Sequence, residues 1–135
     1  GRDVSIQQAA ELMRKHHVGD LVVTDERNGL RVPVGIVTDR DIVVSVMALH
    51  LDPKVITLGD MMGTDLLVAR EDQGIAEVLE VMRMRQVRRV PVVDRNGALA
   101  GILSVDDVLD LLAKEFGDIS ALISRQRWKE ERTKR

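Results

Sequence analysis

Two stretches of the sequence decide the fold, Gly35-Ile-Val-Thr-Asp-Arg-Asp-Ile42 and Gly101-Ile-Leu-Ser-Val-Asp-Asp-Val108, which align residue for residue at an offset of 66. Two further pairs of segments align upstream at an offset of 69: Ile6–Met13 with Ile75–Met82, and Val18–Asp25 with Val87–Asp94. An internal repeat is sought before any other feature, because it determines the whole architecture. The chain therefore contains one unit that occurs twice.

Both copies predict the same order of secondary structure. Each begins with apolar residues at helical spacing, and Ser5 and Gln8 form a capping box that starts the first of these helices. Two β-branched runs follow in each copy, and the Asn-Gly pair between them predicts a hairpin turn, where the change of offset falls. The predicted strands are Leu21–Thr24, Val34–Thr38, Val90–Val93 and Leu99–Leu103. A second helical pattern closes each copy, so the unit is helix–strand–strand–helix.

The two copies differ at their edges. Leu66–Ala69 predicts an additional strand that leads into the second copy, and no counterpart precedes Val4. A connector, Asp52–Gly63, separates the copies, with a short helical turn predicted at Asp60–Met62. We therefore divide the chain into residues 1–63, the first repeat with the connector, and residues 64–135, the second repeat with a C-terminal helical tail. One copy alone buries too little apolar surface, so we expect the two to pack sheet to sheet around a shared core.

Composition excludes several classes of function. The aromatic side chains are Phe116 and Trp128, so the chain lacks the platforms on which single-stranded nucleic acids stack. A net charge of −2 provides no overall attraction to nucleic acid or acidic lipid. No apolar run reaches the ~20 residues of a membrane span, and without cysteine there is no disulfide or thiolate metal site. We expect a cytoplasmic protein with neither a membrane span nor a nucleic-acid partner.

The duplicated unit resembles the CBS domain, a family named after cystathionine β-synthase. The resemblance rests on Arg89-Val-Pro-Val-Val-Asp94 and on Gly35–Ile42, and it covers about Val4 to Leu112. It implies an α+β fold of two tandem β-α-β-β-α repeats that pack pseudo-symmetrically through their sheets, with two clefts between them. It also implies an adenosine-containing ligand (AMP, ADP, ATP, NAD or S-adenosylmethionine), a homodimer, and a regulatory role as a stand-alone bacterial-type CBS pair, or Bateman module.

Thr38-x-x-Asp41 and Ser104-x-x-Asp107 both lie where a predicted strand leads into a predicted helix. By spacing alone this pattern is close to a capping box, whose two side chains satisfy free amides of the first helical turn. A helix N-terminus also presents amides to an anion, and a carboxylate there can accept from both ribose hydroxyls. The resemblance implies this second role, with the Asp as the ribose ligand and the Ser or Thr as the adjacent polar contact. The two roles can coexist.

Basic residues are distributed unequally around these motifs. Arg40 lies within the first motif, where a guanidinium can reach a phosphate, and Asp106 occupies the equivalent position in the second. Arg88 and Arg89 begin a strand of the second copy, and the resemblance implies that basic residues there point to phosphates; an ordinary solvated pair is the alternative. We therefore expect two unequal clefts, of which the first binds phosphate better.

Five aliphatic residues are candidates for a slot around adenine, with ordinary core packing as the alternative for each: Val4, Val18, Ile36, Val87 and Ile102. His16, His17 and His50 do not form a metal site, because neighbouring helical residues point about 100° apart and no further ligand completes a set. No nucleophile–base pair, Walker loop or HExxH helix occurs. We predict no enzyme activity, no catalytic residue, no metal and no catalytic cofactor.

The C-terminal segment Arg125–Arg135 carries six basic residues against two acidic ones, and apolar residues from Phe116 to Trp128 precede it or lie within it. This pattern predicts an amphipathic helix that ends in a frayed basic stub. We interpret it as a dimer-packing or solvated helix rather than a surface for nucleic acid or lipid.

The leading hypothesis is a regulatory sensor that binds an adenosine nucleotide between the repeats. Its ribose would lie on Asp41 or Asp107, and its phosphates on the arginines named above. Two alternatives are an oligomerisation scaffold with weak or empty clefts, and a regulatory fragment of a larger enzyme such as an inosine-monophosphate dehydrogenase. Titration with adenosine compounds separates the first two hypotheses, and a full-length gene sequence decides the third.

Overall fold

The computed structural model describes residues 1–133; Lys134 and Arg135, which end the predicted basic stub, lie outside the described residues. The first repeat consists of α1 (Ile6–His16), β1 (Asp20–Arg27), β2 (Leu30–Thr38), α2 (Asp39–Ile42) and a π-helical segment (Val43–Met47). The connector contains α3 (Leu58–Met61). The second repeat consists of β3 (Ala69–Arg70), α4 (Ile75–Arg85), β4 (Arg89–Val93), β5 (Leu99–Ser104) and α5 (Val105–Thr133).

The strands form two sheets. β1 pairs antiparallel with β2, β4 pairs antiparallel with β5, and β3 adds a short parallel strand beside β4. Both hairpins have an irregularity at the same place, between Val23 and Thr24 in the first repeat and between Val92 and Val93 in the second. The predicted order of elements is confirmed. The additional strand of the second repeat is shorter and begins later than predicted.

The first helices of the two repeats begin differently and end alike. The Ser5 hydroxyl accepts a hydrogen bond from the Gln8 amide at 3.1 Å, and the Gln8 side chain accepts one from the Ser5 amide, so the predicted capping box is confirmed. α4 begins after Gly74 without a side-chain cap. Both helices end at a residue with a left-handed backbone, His17 with φ 54° and Gln86 with φ 55°.

Most of the buried apolar residues form two clusters, one in each repeat. The larger cluster, in the first repeat, contains Ile6, Ala9, Met13, Val23, Val37, Ile42, Val46 and Leu58. The smaller one contains Ala69, Val78, Met82 and Val90. The predicted packing of the repeats through their sheets is confirmed, since β2 contacts β4 and β5. The helices of each repeat pack on their own hairpin, so the buried residues divide between two clusters rather than one.

The connector completes the core of the first repeat. The Ile6 amide donates to the Ile56 carbonyl at 2.9 Å, and the Leu58 amide donates to the Val4 carbonyl at 2.8 Å. These two bonds hold the connector against the start of α1, so that Leu58 is only 3% exposed. Within the described residues, no segment covers the second repeat in this way. Its closing helix α5 continues as one helix, whereas the closing helix of the first repeat is followed by the connector.

α5 is one helix of 29 residues, of which Val108 is buried. The closing helix of the second repeat and the predicted C-terminal helix are therefore a single element. The prediction of a frayed stub is wrong as far as Thr133, because the helix includes every residue from Arg125 to that point. Beyond Val108 the apolar side chains of α5 are exposed.

Candidate functional site

Thr38 and Asp41 lie where β2 ends and α2 begins. The Thr38 hydroxyl accepts a hydrogen bond from the Asp41 amide at 3.1 Å, and Asp41 Oδ2 accepts one from the Thr38 amide at 2.9 Å. This reciprocal pair is a capping box, and both side chains are half-buried. Within residues 1–133, Asp41 Oδ1 accepts no hydrogen bond. The cap therefore fixes the carboxylate and leaves one oxygen available to a ligand.

The equivalent motif of the second repeat is built differently. The Ser104 hydroxyl accepts from the Asp106 amide at 3.2 Å, two residues along the chain. Asp107 is exposed and takes no part in this cap. The two motifs are thus similar in sequence, but only the first has a carboxylate held in place by its own helix start.

The backbone around the two motifs is nevertheless equivalent. The Asp39 amide donates to the Gly19 carbonyl at 2.9 Å, and the Val105 amide donates to the Arg88 carbonyl at 2.9 Å. Each bond ties the start of a closing helix to the residue that precedes the first strand of its hairpin. The residues at these strand starts therefore lie beside the motifs.

Arg88 and Arg89 both form ion pairs. Arg88 Nη2 lies 3.2 Å from Asp106 Oδ1, and both side chains are exposed. Arg89 Nε lies 2.6 Å from Asp20 Oδ2, with the two side chains 35% and 21% exposed. Because Asp20 belongs to β1 and Arg89 to β4, the second pair links the two repeats. A phosphate that approaches either arginine therefore meets a carboxylate already in contact with it.

Asp20 is the site residue that the sequence prediction missed. Asp20 and Arg89 occupy equivalent positions of the two repeats, so their ion pair joins matching points, as contacts across a two-fold axis do. Asp20 lies opposite Thr38 in the first hairpin, and Arg89 lies opposite Ser104 in the second. The pair thus brings the two motifs to one edge of the molecule. In the sequence, the signal for this ion pair is that residues of opposite charge occupy equivalent positions of the two repeats.

Arg40 is exposed and forms no ion pair with any of the described residues. Its amide donates to Asp39 Oδ1 at 2.8 Å. Its neighbours Asp39 and Asp41 are both acidic. The first site therefore combines one unpaired guanidinium with two carboxylates.

The candidates for the adenine slot lie in different surroundings. Val18 is 42% exposed and Ile102 is 40% exposed. Val4 and Val87 pack against the core clusters of their own repeats, which fits the core-packing alternative. Ile36 is half-buried. No single slot gathers all five.

Two clefts of the surface lie away from the motifs. One of about 570 Å³ is lined by Arg70, Glu71, Asp72, Asp94, Arg95 and Asn96, and another of about 370 Å³ by Val4, Gln8, Glu11, Leu12 and Lys15. Thr38 and Asp41 line neither of them. Among residues 1–133, no group of three His, Asp or Glu side chains could hold a metal ion. The helices within that range include none long and apolar enough to cross a membrane.

Comparison with known proteins shows three kinds of likeness. The family model described as "CBS domain" matches residues 1–48 and 58–114. The uncharacterized protein MK0525 of Methanopyrus kandleri is 33% identical over 104 residues, which make up 77% of this chain and 52% of that protein. The chain thus spans about half the length of this relative. Inosine-5'-monophosphate dehydrogenase of Methanocaldococcus jannaschii is 32% identical over 107 residues, 79% of this chain and 20% of the enzyme.

A solved structure shows the same fold with ligands bound. The CBS domain pair of protein MJ0100, in complex with methylthioadenosine and S-adenosyl-L-methionine, is 29% identical to this chain with a TM-score of 0.69. The match covers 82% of this chain and 87% of that one.

Proposed function

The chain belongs to the CBS domain family, and on this premise we propose that it is a regulatory module that binds an adenosine compound at Thr38, Arg40 and Asp41. The observation that carries this proposal is the capped carboxylate of Asp41: its Oδ1 accepts no hydrogen bond within residues 1–133, and Arg40, the preceding residue, forms no ion pair in that range. The adenosine compounds bound by the CBS pair of MJ0100 support the choice of ligand class.

Asp41 is the ribose ligand in this proposal. Its Oδ2 is fixed by the Thr38 amide at 2.9 Å, so the carboxylate is oriented before a ligand arrives. The free Oδ1 accepts from a ribose hydroxyl, and hydrogen bonds to an ionised acceptor are stronger than neutral ones. Capping and ribose binding use different oxygens, so the two roles do not compete.

The charges around the site favour a ligand with few phosphates. Within the described residues Arg40 forms no ion pair, whereas Arg88 and Arg89 already lie against the carboxylates of Asp106 and Asp20. A single unpaired cation between carboxylates matches one phosphate and not three, since each further phosphate adds repulsion at close range. We therefore place AMP, or an uncharged adenosine compound, ahead of ATP and ADP. NAD and S-adenosylmethionine complete the ligand class.

The second motif is the weaker site. Asp106 stands where the first repeat has Arg40, and Asp107 lacks the reciprocal cap.

Val18, Ile36 and Ile102 are the adenine contacts in this scheme. We keep residues 1–63 and 64–135 as the division between the repeats, and we propose neither catalysis nor a catalytic cofactor.

Asp41→Ala is expected to weaken AMP binding about tenfold, which corresponds to the ~1.5 kcal/mol of one charged hydrogen bond. Asp107→Ala is expected to change the affinity less than about threefold, because its carboxylate serves the weaker site. Isothermal titration calorimetry of the three proteins measures both effects. Equal affinities for wild type and Asp41→Ala would contradict the assignment.

A second control separates binding from capping. Asp60 forms the same reciprocal box with Thr57 at the start of α3, at 3.0 and 3.2 Å. Hydrogen bonds from the Thr57 amide and side chain lower the pKa of Asp60 below its ordinary value. Asp60→Ala therefore removes an equivalent cap, worth about 1 kcal/mol, and should leave AMP affinity unchanged. A loss of affinity in this variant equal to that of Asp41→Ala would mean that stability, not contact, controls binding.

A second candidate function is the regulatory part of a larger enzyme. The match to an inosine-5'-monophosphate dehydrogenase, which covers 20% of that enzyme, favours it. The complete open reading frame that encodes this chain decides the matter. A catalytic domain in the same frame would support the fragment, and its absence would favour a separate module. If no adenosine compound binds, we would interpret the chain as an oligomerisation scaffold with empty sites.

A further inference from the structure

The exposed side of α5 carries a regular apolar stripe. Five side chains alternate at spacings of three and four residues along it: Leu109, Leu112, Phe116, Ile119 and Ile123. Their exposed fractions run from 42% to 71%. This is the a and d spacing of a heptad repeat, with which one helix packs against another. We call these five residues the seam, and we propose that it pairs with the seam of a second copy of this chain in antiparallel orientation.

Charge along α5 selects the antiparallel orientation. Residues 105–118 contain five carboxylates and one lysine, a formal charge of −4, whereas residues 119–133 contain four basic and two acidic side chains, a formal charge of +2. A parallel pair would place like charge beside like charge along the whole length. An antiparallel pair places the acidic half of each helix beside the basic half of the other, and such complementarity fixes orientation.

The position of the apolar residues selects one register. Leu112 lies opposite the second copy's Ile123, and Phe116 lies opposite its Ile119, so the central layers are entirely apolar. In this register Asp106 flanks the seam beside the second copy's Arg127, at positions that set partner choice in paired helices. Its contact with Arg88 uses Oδ1, so its second oxygen can accept from Arg127 without loss of that pair.

The neighbouring registers are less favourable. A shift of seven residues in one direction brings Glu115 beside the same residue of the second copy. The opposite shift places Glu130 in the layer of Leu112. The first costs charge repulsion and the second buries a carboxylate, so neither competes with the proposed register.

Sedimentation velocity on the full chain tests the interface. The wild type is expected to be a dimer at micromolar concentration, and Phe116→Asp is expected to raise the dimer dissociation constant at least tenfold. Leu111→Asp is the matched control: Leu111 is also an exposed apolar residue of α5, at 57%, but it lies outside the seam, so its dissociation constant should change less than threefold. A monomeric wild type, or equal effects of the two substitutions, would overturn the proposal.

Disulfide trapping tests the orientation. The chain has no cysteine, so introduced thiols are unique. In the proposed register, Leu112→Cys and Ile123→Cys proteins mixed before oxidation form a disulfide with each other. Neither links to itself, because the like residues lie about 16 Å apart along the axis, beyond disulfide reach. Self-linking of either variant would show a parallel pair, and absence of the mixed disulfide would show no such pair; either result overturns the proposal.

Discussion

Ile6→Ala is expected to lower the free energy of unfolding by about 2–5 kcal/mol, the range for truncating a fully buried aliphatic side chain. Ile6 is 0% exposed and lies in the larger core cluster, between the hairpin and Leu58 of the connector. The alanine leaves a cavity that the surrounding residues fill only in part, because a packed core relaxes incompletely around a truncated side chain. Urea denaturation followed by circular dichroism measures the difference.

Ile75→Ala is the matched control, since Ile75 occupies the equivalent position of the second repeat. Ile75 is 52% exposed, so its truncation is expected to cost about 1 kcal/mol or less. The ratio of the two losses measures how unequally the repeats are packed. Equal losses would contradict the description of two unequal cores.

Gly35→Ala is expected to destabilise the protein by about 1–3 kcal/mol through overpacking. A Cβ at Gly35 would lie 2.7 Å from the sulfur and 3.0 Å from the Cβ of Met62. The Met62 side chain can turn away, but its Cβ moves only with the connector backbone. Differential scanning calorimetry should therefore record a lower melting temperature for this variant.

Gly101→Ala tests the same substitution at the equivalent glycine of the second repeat. Nothing lies within 4 Å of a Cβ built there. Alanine in place of glycine within a strand reduces the entropy lost on folding, so we expect a neutral effect or a gain of up to about 1 kcal/mol. Met62→Gly in the Gly35→Ala background removes the Met62 Cβ as well as the sulfur, and should recover part of the loss. Absence of any coupling between those two positions would refute the proposed contact.

Local structure followed from the sequence because its signals lie within a few residues of each other. Asn28 and Gly29 both have positive φ, 52° and 76°, as the tight hairpin turn of an Asn-Gly pair requires. In the second hairpin only Gly97 does, with φ 81°, and the Asp94 carboxylate accepts from the Ala98 amide at 3.1 Å. The two turns therefore differ in conformation, which accounts for the change of offset between the repeats at this point.

Burial did not follow from the sequence, because it depends on segments that are distant along the chain. Ile6 and Ile75 have the same place in the repeat, but only Ile6 is buried, and the connector is held against the start of its helix. The sequence pattern also predicted two separate helices where α5 is one. No proline follows Val105, and the one glycine within the helix, Gly117, weakens a helix without ending it.

The candidate site was predicted in part. The pattern at Thr38 and Asp41 indicated both a cap and a ligand, and the cap is confirmed. The pairing of Arg89 with Asp20 could not be inferred, because it depends on how the two repeats meet. That ion pair changes the expected ligand, since it neutralises an arginine that the sequence offered to phosphate.

The most direct test of the central claim is calorimetric titration of the wild-type chain with AMP, ATP and methylthioadenosine. We expect saturable binding of AMP and methylthioadenosine at one stronger site per chain, with ATP at least several-fold weaker than AMP. The weaker binding of ATP follows from the single unpaired guanidinium among carboxylates. No saturable heat with any of the three compounds would contradict the account and leave a scaffold with empty sites.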